Sequence, residues 1–126
     1  MAKLPEVSRG ETDGLRRPPV EAVDRQNSNV VVRLVGEIDL YNAGQVGAAL
    51  DELAQEHPAR IIVDLGEVEF VDSTALGTLI EARKQLGDGR LFLAAPGRDV
   101  RRALEVAGLI DHFPVHDSVD DALAAG

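Results

Sequence analysis

Two adjacent hydroxyls, Ser73 and Thr74, stand between Asp72 and an apolar run that begins at Ala75 and Leu76. Their types and spacing allow two chemistries. In one, a hydroxyl caps the backbone N–H groups at the start of a helix, the ordinary use of such residues there. In the other, the hydroxyl is offered to another molecule. A helix N-terminus carries unpaired N–H groups and partial positive charge, so a phosphate on Ser73 is tolerated at that place. Phosphorylation adds about −1.5 to −2 charge, which Asp72 opposes by like-charge repulsion. Residue types alone favour the cap.

Asp39 and Asp72 form the second candidate pair. Each stands just beyond an apolar run that reads as a central strand, and functional sites gather outside the strand carboxyl ends of a parallel sheet. The plainer alternative has Asp39 opening the turn Asp39-Leu40-Tyr41-Asn42 and Asp72 capping a helix. Glu67 and Glu69 alternate with Val68 and Phe70, which sends the acids to water and the apolar pair inward. His57, His112 and His116 are scattered. Asp111 and Asp117 flank the last two, but Phe113-Pro114 rules out a helix that would align both rings. They read as solvated surface histidines. Ser73 is surrounded by no phosphate-binding glycine loop, dinucleotide fingerprint or Gly-Xaa-Ser-Xaa-Gly elbow. No catalytic residue, metal ligand or cofactor is assigned.

Apolar and breaker patterns indicate the elements that must hold these groups. Residues 1–18 carry Pro5, Gly10, Gly14 and Pro18 without a period, and read as a flexible leader. Residues 19–126 read as one domain. Val20 to Arg25 is a weak strand, Gln26 to Asn29 a turn, and Val30 to Val35 a strong β-branched strand. Asn42 is a candidate N-cap for a helix carrying Ala43, Val46, Ala49, Leu50, Leu53 and Ala54. Gly44 and Gly47 each weaken it by about 1 kcal/mol relative to Ala, so it must rely on packing. Pro58 stops it before a strand over Ile61 to Asp64, and a short acidic loop then leads to Asp72.

The following helix carries Leu76, Leu79, Ile80, Arg83 and Leu86, with Gly87 placed for a left-handed C-cap. Arg90 to Ala94 is a buried strand. Val100, Ala103, Leu104 and Ala107 build a third helix, for which Gly108, Leu109 and Ile110 supply a Schellman-type stop. Phe113 to His116 is a short strand, and Asp117 or Ser118 caps a small last helix. Such alternation gives an α/β fold: a mixed, mostly parallel sheet with an N-terminal edge strand and about four helices packed against it.

Composition narrows the function classes. The 126 residues carry a formal net charge of −9, which argues against nucleic acid and anionic membrane as partners. With no cysteine, disulfide and thiolate chemistry are excluded. Aromatic residues are only 3% of the chain, so the core is aliphatic and suits helices layered on a sheet. No run approaches the roughly 20 apolar residues of a membrane span, and no apolar run of signal-peptide length opens the chain. A cytoplasmic protein is expected.

Three segments together resemble a STAS domain and, more narrowly, a bacterial anti-sigma factor antagonist. They are Gly36-Glu37-Ile38-Asp39, the stretch from Val63-Asp64-Leu65 through Phe70-Val71-Asp72-Ser73-Thr74-Ala75-Leu76-Gly77, and Ala107-Gly108-Leu109. The likeness covers about Val20 to Leu123. It implies that an anti-sigma factor serine kinase phosphorylates Ser73, with Thr74 as second choice. It implies that the unmodified chain binds this kinase and frees a sigma factor, and that a serine phosphatase restores the phosphorylated form. Asp39, Asp72, Ser73, Thr74, Ala75 and Leu76 are the implied binding residues, in a monomer or weak dimer. Ala75 stands where the family usually has Gly, adding a methyl beside the acceptor. A STAS scaffold or sensory module is the alternative. A small enzyme built on Asp39, Asp72 and Ser73 comes third, for it lacks a base near Ser73.

Overall fold

The computed structural model describes residues 17–125. The leader expected over residues 1–18 lies almost wholly outside them. Strand β1 (Val20–Gln26) turns through Asn27 and Ser28 into β2 (Asn29–Ile38) as an antiparallel hairpin. Asn27 has φ +58°, a left-handed conformation that Asn tolerates better than most residues. Then come α1 (Ala43–Ala54), β3 (Arg60–Val71), α2 (Ser73–Leu86) and β4 (Leu91–Ala94), followed by α3 (Arg98–Val106), β5 (Val115–His116) and α4 (Val119–Ala124). The five strands lie in sequence order, β1-β2-β3-β4-β5, with every pairing after the hairpin parallel.

The alternation of a strand divides the apolar residues between two faces. Val30, Val32 and Leu34 of β2, with Ile61, Val63 and Leu65 of β3, pack against α1, α2 and α3. Val31, Ile62, Phe92 and Ala94 face the other way and meet Ala122 of α4. Of the two glycines in helix α1, Gly47 is a point of approach: a Cβ there would stand 3.3 Å from the Thr78 methyl of α2, while Gly44 has open space around it. At the end of α3, Gly108 at φ +74° donates to Glu105 O and Leu109 donates to Leu104 O, the two bonds of a Schellman stop. Among the described residues no helix is long and apolar enough to cross a membrane.

Several local expectations change. Strand β3 does not stop at Asp64; it continues for 12 residues through the expected acidic loop to Val71. Val68 is buried as expected, yet Phe70 is half exposed, because β3 gains a residue on β2 between the two. Gly87 has positive φ but an extended ψ of 152°, so it closes α2 without adopting the left-handed helical shape. The last strand shortens to Val115–His116, and Ser118 rather than Asp117 caps α4, its hydroxyl accepting from Asp121 N at 3.0 Å.

Candidate functional site

Two loops meet at the carboxyl ends of β2 and β3. Ile38 and Val71 are register partners, and Asp72 N donates to Ile38 O at 3.2 Å. The loop after β2 folds on itself. Asp39 Oδ1 accepts from Tyr41 N at 3.0 Å, the bond of an Asx-turn. Asn42 occupies the N-cap position of α1 but makes no capping bond there. Its side chain points back instead: Oδ1 accepts from Asp39 N, and Nδ2 donates to Glu37 O, both at 2.8 Å. At 7% exposure Asn42 is a buried polar stitch within its own loop, not a cap.

The loop after β3 reaches outward. Asp72 Oδ1 accepts from Ala75 N at 2.9 Å and caps α2, while Oδ2 accepts from Leu40 N at 3.0 Å. One carboxylate thus starts a helix and clasps the neighbouring loop. The cap that the sequence also allowed Ser73 or Thr74 is taken by Asp72, and both hydroxyl residues stand exposed in the first turn of α2. Thr78 Oγ1 donates to Thr74 O at 3.1 Å and tightens that turn. Ala75 and Leu76 are buried, at 3% and 9% exposure, and form the floor beneath the hydroxyls. The Ala75 methyl therefore points into packing.

Asp39, Asp72, Ser73 and Thr74 are brought to one edge of the sheet. Glu37, Glu67 and Glu69 are exposed on the terminal parts of the same two strands. No Lys or Arg occurs between Arg33 and Arg60, or between Arg60 and Arg83, so neither loop contributes a base. Beside β3, a groove of about 490 Å³ runs past Val68 and Glu69 to Gly97, Arg98, Asp99 and Val100 at the start of α3.

The apolar part of this edge was not expected from the sequence. Leu40 is 63% exposed, Tyr41 75% and Phe70 51%. Two large apolar residues inside a four-residue turn, where polar residues are usual, were the available signal for the first two. Phe70 gave none, since alternation directed it inward.

The histidines stay apart from the loops. His57 follows α1 at φ +54°, and His112 is exposed after α3. His116 is not a solvated surface residue: it is half-buried and stacks on Phe92 with ring centroids 5.2 Å apart. Among the described residues no group of three or more His, Asp or Glu could hold a metal ion. Arg25 and Glu56 form an ion pair, bridged at 2.9 and 2.6 Å between β1 and the end of α1. Hydrogen bonding to Arg25 holds the Glu56 carboxyl below its ordinary value, and the same bond raises Arg25.

The STAS domain family profile matches residues 21–122. RsfB of Mycobacterium tuberculosis, an anti-sigma-F factor antagonist, is 32% identical over 98 residues, covering 77% of this chain and 80% of RsfB. A crystal structure of an anti-sigma factor antagonist from Mycobacterium paratuberculosis aligns with a TM-score of 0.76 at 31% identity, covering 81% of this chain and 88% of that one. SpoIIAA, the Bacillus cell fate determinant, shares the fold. Its unphosphorylated form aligns with TM-score 0.70 at 24% identity, and its phosphorylated form with 0.62 at 22%. Each alignment spans 81% of this chain, with 91% and 95% of the respective SpoIIAA chains.

Proposed function

The chain belongs to the STAS domain family, and on that footing we propose that it is an anti-sigma factor antagonist working by partner switching. The unmodified protein binds an anti-sigma factor serine kinase in the cytoplasm and releases a sigma factor. Transfer of a phosphoryl group from ATP held by the kinase to the Ser73 hydroxyl abolishes that binding, and a serine phosphatase reverses the modification. The protein acts as a regulator, without catalytic activity of its own.

The observation that carries this reading is the division of labour at the start of α2. Asp72 supplies the cap, so the exposed Ser73 hydroxyl is available to a kinase without unwinding the helix. Modification there changes charge at a surface and leaves the fold intact. Around it, Leu40 and Tyr41 offer apolar area of the kind that anchors protein interfaces, and the acids of both strands favour a basic partner. A phosphate of about −1.5 to −2 charge added beside Asp72 alters that surface at its centre.

Incubation of the protein with its anti-sigma kinase and ATP tests the proposal. One phosphate is expected, at Ser73, and none on Ser73→Ala. Ser73→Asp is expected to weaken kinase binding by about 100-fold, close to 3 kcal/mol. Phosphate uptake by Ser73→Ala at the wild-type level, together with wild-type binding by Ser73→Asp, would reject the assignment.

A further inference from the structure

Strand β3 is longer than its partner β2, and the excess lies ahead of the acceptor loop. From Arg33 to Ile38, β2 advances five residues, while β3 advances seven from Asp64 to Val71. One extra residue enters opposite Arg33–Val35 and another opposite Gly36–Glu37. At roughly 3.3 Å per residue, the two insertions draw the end of β3 back by about 7 Å relative to an unbroken ladder. That retraction sets Val71 opposite Ile38 and brings the Asp72 carboxylate to Leu40 N.

The apolar spacing demands both insertions. Leu65, Val68 and Val71 all enter the core against α1, α2 and α3, three residues apart. Strict alternation after Leu65 would bury Glu67 and Glu69. Spacing does not say where the first extra residue sits, and a register left open in this way slides. Asp64 answers that question. Its Oδ1 accepts from Gly66 N at 2.9 Å and its Oδ2 from Arg33 Nε at 3.3 Å, so the carboxylate pins the looped residue to β2. It is one of two buried polar residues among those described, at 7% exposure. Gly66 is small where it must be: a Cβ there would stand 3.2 Å from Asp64 Oδ1. Arg33 and Asp64 line a groove of about 350 Å³ on the α4 face, with Ala22, Asp24, Val31 and Asp120.

We infer that Asp64, locked by Arg33, is a positioning residue for the acceptor loop: it fixes the first β3 insertion at Gly66 and so sets Asp72 and Ser73 against the Asp39–Asn42 turn. Its consequence for phosphorylation rests on the function proposed above; its consequence for loop register does not. Amide hydrogen exchange therefore comes first. In Asp64→Ala the amides of Asp72 and Leu40 are expected to exchange about tenfold faster, with Leu93 N–H in β4 unchanged. Arg33→Ala is expected to give about threefold, and Asp64→Asn, whose amide oxygen still accepts from Gly66, less than about threefold.

Wild-type exchange at Asp72 and Leu40 in Asp64→Ala, with faster exchange at Gly66 alone, would overturn the inference. If Asp64→Ala does not fold, Arg33→Ala decides on the same amides: loosening there supports the lock, and wild-type exchange refutes it. With the anti-sigma kinase and ATP, folded Asp64→Ala is expected to lose about tenfold in kcat with KM within about twofold. Unchanged kcat in a variant with loosened amides rejects the functional half. A wild-type chain that accepts no phosphate defeats the proposed function, while the amide result still judges the register.

Discussion

The two loops at the edge of the sheet solve the same problem in opposite ways. The loop after β2 is closed upon itself: Asn42 satisfies Asp39 N and Glu37 O, and Asp39 receives Tyr41 N. It buries the Asn42 side chain and leaves Leu40 and Tyr41 outside. The loop after β3 makes its defining bonds through one carboxylate, half to its own helix and half to the other loop. It leaves hydroxyls outside. A self-satisfied turn presents a fixed apolar surface, whereas a turn held by a shared carboxylate presents a group whose setting depends on its neighbour.

Three substitutions break or sharpen that contrast. Asn42→Ala is expected to cost the most, about 3 kcal/mol in urea unfolding, because a buried side chain and both of its hydrogen bonds are lost together. A cost below about 1 kcal/mol would mean that the β2 loop does not depend on its stitch. Asp72→Ala removes a cap and a clasp, with an expected cost of about 2 kcal/mol; Asp72→Asn keeps the capping oxygen and should lose about half as much. Equal losses in the two variants would show that charge, not geometry, holds the second loop. Tyr41→Ala should move stability by less than about 0.5 kcal/mol, since the side chain is exposed. On the function proposed above, its effect is expected in binding: about a tenfold weaker complex with the anti-sigma partner in titration calorimetry. Unchanged affinity would remove the apolar face of the β2 loop from the interface.

What the sequence disclosed follows the range of the interactions involved. The strand Val30 to Val35, the helix stripes and the Gly108 stop are local patterns, and each was legible from a few neighbouring residues. The end of β3 was not. Glu67, Val68, Glu69 and Phe70 alternate, so a local reading puts Val68 and Phe70 on one face. The ladder with β2, about 30 residues away, inserts a residue between them and turns Phe70 outward. The threefold spacing of Leu65, Val68 and Val71 was the readable trace of that event.

The cap of α2 was ambiguous for a similar reason. Asp72, Ser73 and Thr74 are all capable of capping, and local propensity ranks them too closely to choose. The choice is fixed by Leu40 N, a donor from a loop 32 residues earlier. The candidate residues at the edge were thus recognisable by type, while their division into cap, exposed hydroxyls and buried floor was a tertiary matter.

Strand β1 has a consequence of its own for the behaviour of the domain in a crowded solution. Among the described residues its outer edge is one of the two unpaired edges of a sheet whose central strands are rich in Val, Ile and Leu, a template on which further strands could grow. All of its residues after Val20 are exposed, and Glu21, Asp24 and Arg25 place charges along it. A register shift between Val20 and Ala22 bends its start. Another chain adding there would have to desolvate those charges and follow that bend. This exposed, charged edge strand is thereby a guard against uncontrolled assembly.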